Sequence, residues 1–427
     1  MPQATVRKRA EKTRAIPQPE PGLTSADVIA RAIALRPMVQ AQADEAEALG
    51  GYTEALHREF TKAGFYRMTT PKMFGGYEFP LETYFKVIIE IGRGDPGTAW
   101  NLALGASHGW MVASHWSEEG QRLLFGETGH FVCPARALDP NSRCEPAPGG
   151  GYRLSGQWNY CSGSTYSTHF IGLARSFDAN GTEGPPVWAA VDRAQYKVLD
   201  DWGGDKTMGM RASGSNSIRV ENAAIPESFV VRSPTMFFLR EDDRQGTPGT
   251  RLHGNPMYLG QLMGPFHCSL TAPVIGAALA AADEFEKYAL RMKTYEDATL
   301  LRADSDRYQR KLGQTLAMAD AAEMILMGML RRHRERGERW ANGGAPLSPK
   351  EGIGEWALIQ QAGKLAAEAV DLMFRTGGSF LSKKGNRLQR CFNDAQMYRG
   401  HMSSQYEEFA GYLGRIQLGR KAGLMGL

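Results

Sequence analysis

Three short stretches of this chain hold residue types that could move a proton or grip a polar ligand edge. The segment RLQRCFNDAQMYRGHMSSQYEE (387–408) carries Asp394, His401, Glu407 and Glu408 on what reads as one helix. Asp394 and His401 are seven residues apart, two helical turns, and so share a face. A carboxylate there could act as a general base; an imidazole titrates near neutral pH and could take a proton. The alternative for His401 is a surface histidine on a last helix. The second stretch is TAWNLALGASHGWMVASHW (98–116), where His108 stands between Ser107 and Gly109 beside Trp110. His108 reads either as a pocket wall or as a capping or core histidine. His115 could share its face, but no acidic partner sits at ligand spacing, so a metal site is rejected. The third stretch, GQWNYCSG (156–163), reads as a strand running into Tyr160, Ser162 and Gly163, with an aromatic wall, a hydroxyl and a backbone that can be approached closely. A strand-end turn serine is the plainer reading of Ser162.

The elements that must carry these residues change texture twice. From Ser25, taken as an N-cap, to about residue 126 the apolar spacing is helical, and Gly94-Asp95-Pro96-Gly97 splits two buried helices. From about 130 to 235, alternating β-branched and aromatic runs between Gly, Pro, Asn and Asp clusters predict an all-β domain. From 236 to 427 four long amphipathic helices predict a helical bundle. The expected organisation is therefore a disordered tail (1–22), a helical domain (23–129), a β-barrel domain (130–235) and a C-terminal bundle (236–427), an α+β multidomain fold. No GxGxxG opens a helix and no GxxxxGK[ST] occurs, which excludes Rossmann and P-loop readings.

Composition narrows the classes further. The 427 residues allow several substantial cores, and a net charge of +4 spread along the chain calls for neither nucleic acid nor a membrane. RRHRERGERW (331–340) reads as a solvated helix end. Five scattered cysteines without a CxxC read as reduced thiols, which points to a cytoplasmic protein. No run approaches the roughly 18 apolar residues of a membrane span, and the basic start lacks the apolar core of a secretory signal.

Two segments, GGGYRLSGQWNYCSGSTYSTHFIGLA (149–174) and MGMRASGSNSIRVENAAIPESFVV (208–231), resemble the acyl-CoA dehydrogenase fold. They are closer to its flavin-dependent monooxygenase branch, the oxygenase components of two-component aromatic hydroxylases such as the 4-hydroxyphenylacetate and hydroxylated-steroid oxygenases. The resemblance runs over about residues 25–420 with domain order preserved. It implies a flavin beside Tyr160, Ser162 and Gly163, with the Ser162 hydroxyl at flavin N5. It implies that Arg211, Ser213 and Ser215 lie on a turn near flavin and substrate, a hairpin being the alternative. It makes His108 a wall of the substrate pocket, to which Trp110, Phe266, Met257 and Tyr258 are added as candidate lining. It also assigns the break at Gly377 and Gly378, with Arg375 or Lys383 nearby, to flavin phosphate from a neighbouring subunit, simple helix termination being the alternative.

The same resemblance separates two chemistries. Many dehydrogenases of the fold place a catalytic glutamate eight residues after an aspartate matched by Asp394; Met402 stands there and cannot take a proton. The monooxygenases place a histidine seven residues after it, and His401 stands there. The expectation is an oxygenase component that uses reduced FMN (FMNH₂), with FAD as the alternative, and O₂. It would form a C4a-hydroperoxyflavin and hydroxylate a small aromatic, phenolic substrate. His401 would accept the substrate's proton, and Ser162 and a dry pocket would protect the reactive flavin. A separate NAD(P)H-dependent flavin reductase would be the partner, and the resemblance implies a homotetramer. An FAD-dependent acyl-CoA dehydrogenase or oxidase with its base elsewhere is the second reading, and a non-catalytic scaffold the third.

Overall fold

In the computed structural model, residues 15–232, 246–261, 263–401 and 404–423 are described. Helices α1 (Ser25–Ala41), α2 (Ala43–Leu49), α3 (Glu54–Lys62), α4 (Leu81–Gly94), α5 (Pro96–His115) and α6 (Glu118–Phe125) come first. The cap of α1 is Thr24, one residue before the expected Ser25. Its hydroxyl accepts from the Asp27 amide while the Asp27 carboxylate accepts from the Thr24 amide, a reciprocal box that Ser25 could not close. The tail is also shorter than expected. The Ile16 amide donates to the Met73 carbonyl at 3.0 Å and Gln18 reaches the Gly76 carbonyl, so residues 15–22 pack on the helical domain; residues 1–14 lie outside the described residues.

Helices α4 and α5 are buried along almost their whole length; α5 is apolar or small on most faces, while the charged stripe of α4, Glu82, Lys86, Glu90 and Arg93, is taken up in ion pairs. One residue separates them. Asp95 ends α4 in extended conformation and caps α5, accepting from the Thr98 amide at 2.8 Å, while Pro96 takes the first helical position.

The strands lie between Ala135 and Val231. They are β1 (Ala135–Arg136), β2 (Arg143–Pro146), β3 (Tyr152–Trp158), β4 (His169–Phe177), β5 (Glu183–Asp192), β6 (Tyr196–Val198), β7 (Ile218–Ile225) and β8 (Val230–Val231). Their order is β6-β7-β3-β2-β4-β5-β8, with β1 parallel to β4. The expected barrel is, in its hydrogen bonding, an open mixed sheet: the end strands β6 and β8 do not pair with one another. Each is paired on one side, β6 with β7 and β8 with β5.

After β8 come α7 (Pro248–His253), α8 (Met263–Ala289), α9 (Asp306–Ala341), α10 (Pro349–Gly377), α11 (Arg387–Arg399) and α12 (Tyr406–Gln417). Helix α8 packs against α4, α5, α9, α10 and α11, and Arg93 of α4 grips Asp283 of α8 through two hydrogen bonds of 2.6 and 2.7 Å. Contrary to the sequence expectation, α8 is long and apolar enough to cross a membrane. However, 83% of its apolar window is buried inside the protein, as befits the central helix of a bundle. The helix expected over 387–408 breaks: α11 stops at Arg399 and α12 starts at Tyr406. The Ser404 hydroxyl sits within hydrogen-bonding range of the carbonyls of Tyr398, Arg399 and His401 and donates to one of them at a time, capping an end where a continuing helix would have supplied an amide. Asp394 and His401 therefore do not share a helical face.

Candidate active site

A cleft of about 170 Å³ opens where α5, the first strand, the end of β3, the start of α8 and the turn after α11 meet. His108, Tyr160, Ser162, Phe266 and His401, far apart in sequence, all line it.

His108 sits mid-helix on α5 and is 1% exposed. Its Nδ1 lies 2.6 Å from the Leu104 carbonyl and 2.7 Å from the Cys133 carbonyl. Carbonyls only accept, so Nδ1 carries the hydrogen and Nε2 bears a lone pair. That Nε2 is buried without a hydrogen-bond partner among the described residues. Burial pulls the imidazole pKa down to about 4, against the two carbonyls, so the ring is neutral at pH 7. The Phe266 ring packs on it at 4.8 Å.

His401 reaches the cleft from the turn after α11, its amide donating to the Tyr398 carbonyl at 3.0 Å. The Trp100 ring meets it edge-on, centroids 5.8 Å apart. Burial, and then the charge of Arg136, lower its pKa to about 4. This revises the expected proton acceptor: with the cleft as it stands, His401 is a neutral hydrogen-bond acceptor, and it becomes a stronger base only when a negative charge forms beside it.

Ser162 is held from behind. The Trp100 indole donates to its Oγ at 3.1 Å, and the hydroxyls of Ser162, Ser215 and Ser213 form a chain with steps of 2.6 Å. The indole fills one lone pair of Ser162. If the chain runs from Ser213 to Ser162, the Ser162 hydrogen is left for the cleft; if it runs the other way, a lone pair is left. The hydroxyl can therefore meet either a donor or an acceptor. Asp394 secures this loop from α11, its Oδ1 accepting from the Met210 amide at 2.5 Å. A Cβ at Gly209 would lie 2.3 Å from the Asn393 carbonyl, so helix and loop are in direct backbone contact. Burial and the neighbouring Asp95 push the Asp394 carboxyl well above the usual carboxylate range. Asp394 anchors the loop by accepting this amide.

Other candidates fall elsewhere. Tyr160 lines the mouth, 61% exposed, in a left-handed backbone conformation (φ 62°). Gly163 serves packing: a Cβ there would lie 2.5 Å from the Gly105 amide nitrogen, so the glycine lets the strand end press on α5. Trp110 does not line the cleft. Two residues beyond His108 is 200° around the helix, and its indole donates to the Met257 carbonyl on the far side at 2.8 Å. Met257 and Tyr258 go with it, the Tyr258 hydroxyl donating to the Thr69 carbonyl. Arg211 is spent on the Thr207 carbonyl and Asp205 and is not a cleft residue. Gly377 and Gly378 end α10 outside the cleft. Arg302 donates to the Gly377 carbonyl at 3.2 Å, and Gly378 leads into a 3-10 turn over Ser379–Ser382. Met402 lies outside the described residues.

The sequence reading passed over Trp100, Leu104 and Met111. With His108 they fall at 100, 104, 108 and 111, one face of α5, and that spacing was the available signal. Arg136 and His267 also line the cleft, and no local pattern marks them.

The comparisons follow this geometry. The acyl-CoA dehydrogenase N-terminal domain matches residues 30–124 and the acyl-CoA dehydrogenase C-terminal domain matches residues 268–406, together more than half of the chain. A pigment production hydroxylase of Rhodococcus sp. (strain ATCC 21145) is 27% identical over 93% of this chain and 97% of its own length. The oxygenase component of p-hydroxyphenylacetate 3-hydroxylase of Acinetobacter baumannii is 23% identical over 93% and 90%. The structure of XiaF from Streptomyces sp. in complex with FADH2 and glycerol superposes with a TM-score of 0.84 at 22% identity, covering 94% of this chain and 98% of that one. The chain belongs to the acyl-CoA dehydrogenase family, in its branch of flavin-dependent monooxygenases.

Proposed function

We propose that the chain is the oxygenase component of a two-component system, hydroxylating a phenolic substrate with O₂ and reduced flavin, FMN or FAD, delivered by a separate NAD(P)H-dependent reductase. The observation that carries this reading is the cleft's composition: the imidazoles of His108, His267 and His401 and the Ser162 hydroxyl, with no Asp or Glu among its described lining residues. An acyl-CoA dehydrogenase needs a carboxylate in line with its flavin to take a proton from carbon. This cleft offers lone pairs that suit an O–H.

The residues fit a flavin ring. The Ser162 hydroxyl, adaptable in hydrogen-bond sense, and the Tyr160 ring would hold its polar edge and flank, while Trp100 keeps Ser162 in place. When bound, reduced flavin supplies the two electrons with which one oxygen atom of O₂ enters the substrate and the other leaves as water. His401 or His108 Nε2 would accept the one hydrogen bond that the substrate hydroxyl can donate, and so raise electron density on the ring carbon beside it. Leu104, Met111 and Phe266 exclude water, and so protect the reduced-oxygen chemistry from side reactions. The match to a relative named as an oxygenase component supports the separate reductase. Free, buried cysteines support a cytoplasmic setting. Exposed Leu316 and Met324, eight residues apart on one side of α9, support assembly as a homotetramer.

The test is turnover with ¹⁸O₂, reduced flavin from an independent reductase and a panel of phenols. Label in the product supports the reading. Purified flavin-loaded protein that is bleached anaerobically by an acyl-CoA, with no labelled phenol product, would point to dehydrogenation instead.

A further inference from the structure

Among its described lining residues the cleft holds one permanent cation and no anion. Arg136, second residue of β1, shares it with His108, His267 and His401, and none of the described lining residues is acidic. Other arginines packed into the domain junctions are answered: Arg390 by Asp44 and Glu47, Arg93 by Asp283, Arg211 by Asp205 and a carbonyl. Arg136 is tied on one side alone. Its Nε donates to the Asn159 carbonyl at 3.0 Å, and this contact fixes the guanidinium plane without neutralising it. The group is half-buried, yet it stands close enough to His401 for its charge to disfavour a proton on that imidazole.

A guanidinium withdrawn from water beside apolar walls is costly unless an anion completes it. Its planar fork matches a carboxylate through two parallel N–H···O bonds, which a lysine could not reproduce. With Nε engaged by Asn159, the Nη pair is what remains for a ligand. We infer that Arg136 is the anion-binding residue of the substrate site, and that the substrate is a hydroxylated aromatic acid. Its phenol faces the imidazoles of His108 and His401, and its carboxylate lies on the Arg136 guanidinium. This deepens the proposed oxygenase reading and rests on it for the phenol, but the acid-binding half stands on the cleft alone. It also assigns the two charge roles differently. The neutral histidines receive the end of the molecule that must become electron-rich, and the fixed cation receives the end that is already charged.

The experiment compares hydroxybenzoates and hydroxyphenylacetates with their primary amides, neutral analogues of nearly the same shape. Binding to the flavin-free protein is measured by calorimetry, and kcat/KM is measured with reduced flavin. Wild type should favour acid over amide by at least about 10-fold, and Arg136→Gln should cut that preference roughly 10- to 100-fold, chiefly through KM, the size expected for a lost hydrogen bond to a charged group. Arg136→Lys, which keeps the charge and loses the fork, should fall between the two. Unchanged melting temperatures would show that the variants fold. Equal binding of acids and amides by wild type overturns the inference. So does a preference that survives in Arg136→Gln. A loss of reduced-flavin affinity in Arg136→Gln by the same factor, without substrate, would assign the arginine to the flavin and also overturn it. Acid preference in calorimetry with no oxygenation of any phenol would keep the anion site and refute the oxygenase reading, so the two failures are distinguishable.

Discussion

His108 and His401 face the same cleft with the same depressed basicity, about 4 for each, yet they are held in opposite ways. His108 is locked. It lies in the middle of a buried helix, two carbonyls fix its tautomer, and its free nitrogen has a direction set before any ligand arrives. His401 lies on the turn beyond a helix end, held through its backbone by Tyr398 and Ser404 and at its ring by the edge of Trp100. One imidazole belongs to the fold and also touches the cleft; the other belongs to the cleft and depends on a short turn for its place. Substitutions at the two positions should therefore fail differently.

The largest effect is expected at His401. Removing an acceptor that contacts the reacting hydroxyl costs on the order of 10²- to 10⁴-fold. His401→Ala should lose hydroxylation on that scale while still consuming O₂ and releasing hydrogen peroxide, because reduced flavin and Ser162 remain. Its melting temperature should move little, since the turn is secured by main-chain and Ser404 contacts. A loss of product and O₂ consumption together would mean that His401 serves folding or flavin binding, and the contrast with His108 would disappear.

At His108 stability should suffer first. His108→Ala removes the ring N–H shared by the Leu104 and Cys133 carbonyls and opens a cavity beside α5, at a cost of about 3 kcal/mol. His108→Asn sharpens the point, because its amide N–H can stand near the Nδ1 position. It should recover most of that stability, measured by denaturant unfolding, and still hydroxylate poorly for want of the Nε2 lone pair. Recovery of both would make His108 a purely structural residue.

A smaller effect belongs to the serine chain. Ser215→Ala removes the hydroxyl that orients Ser162, leaving the Ser162 hydrogen and remaining lone pair without a set direction. Peroxide release per O₂ consumed should rise roughly 3- to 10-fold, the scale of one neutral hydrogen bond. Reduced-flavin affinity should stay near wild type; an unchanged peroxide yield would show that the chain plays no part in protecting the cleft.

What could be read from sequence follows the same division between local and assembled structure. The α4–α5 boundary was legible because Asp95 and Pro96 act on their own neighbours. His108, Ser162 and His401 were legible as chemistry, but the helix drawn through His401 was not correct. The period continues through the turn, and it is a serine five residues past the helix end that stops it. Gly163 was legible as a close approach, but only the packed domains reveal that Gly105 is the backbone it presses on. Trp100 could have been found from its spacing to His108. Arg136 could not: its two-residue strand has no periodicity, and its meaning comes from Asn159, His401 and the lack of carboxylates around it, all tertiary facts. Trp110 erred for the opposite reason, being next to the right residue on the wrong face.

The smallest predicted effect is a flat region in a pH profile. Both imidazoles are neutral above about pH 5, so kcat/KM at constant reduced flavin should show no inflection from either between pH 6 and 8. An inflection there that His401→Gln removes would mean that the ring keeps its ordinary basicity and acts as a full proton acceptor in the free enzyme. Stability carries the same signature with a definite sign. Each histidine takes up its proton near pH 6.5 when unfolded but only near 4 when folded, so between those values the unfolded chain binds more protons. Stability should thus fall as pH drops from about 6.5 toward 4 and be insensitive to these two groups above 6.5. His115 and His130, buried and lowered to about 4 as well, add to the same slope. Replacing His401 with glutamine should therefore make the decline shallower by one histidine's share and leave the neutral-pH plateau where it was. A decline unchanged in that variant would show that the turn already admits water to the ring, and that of the two imidazoles only His108 is set by burial.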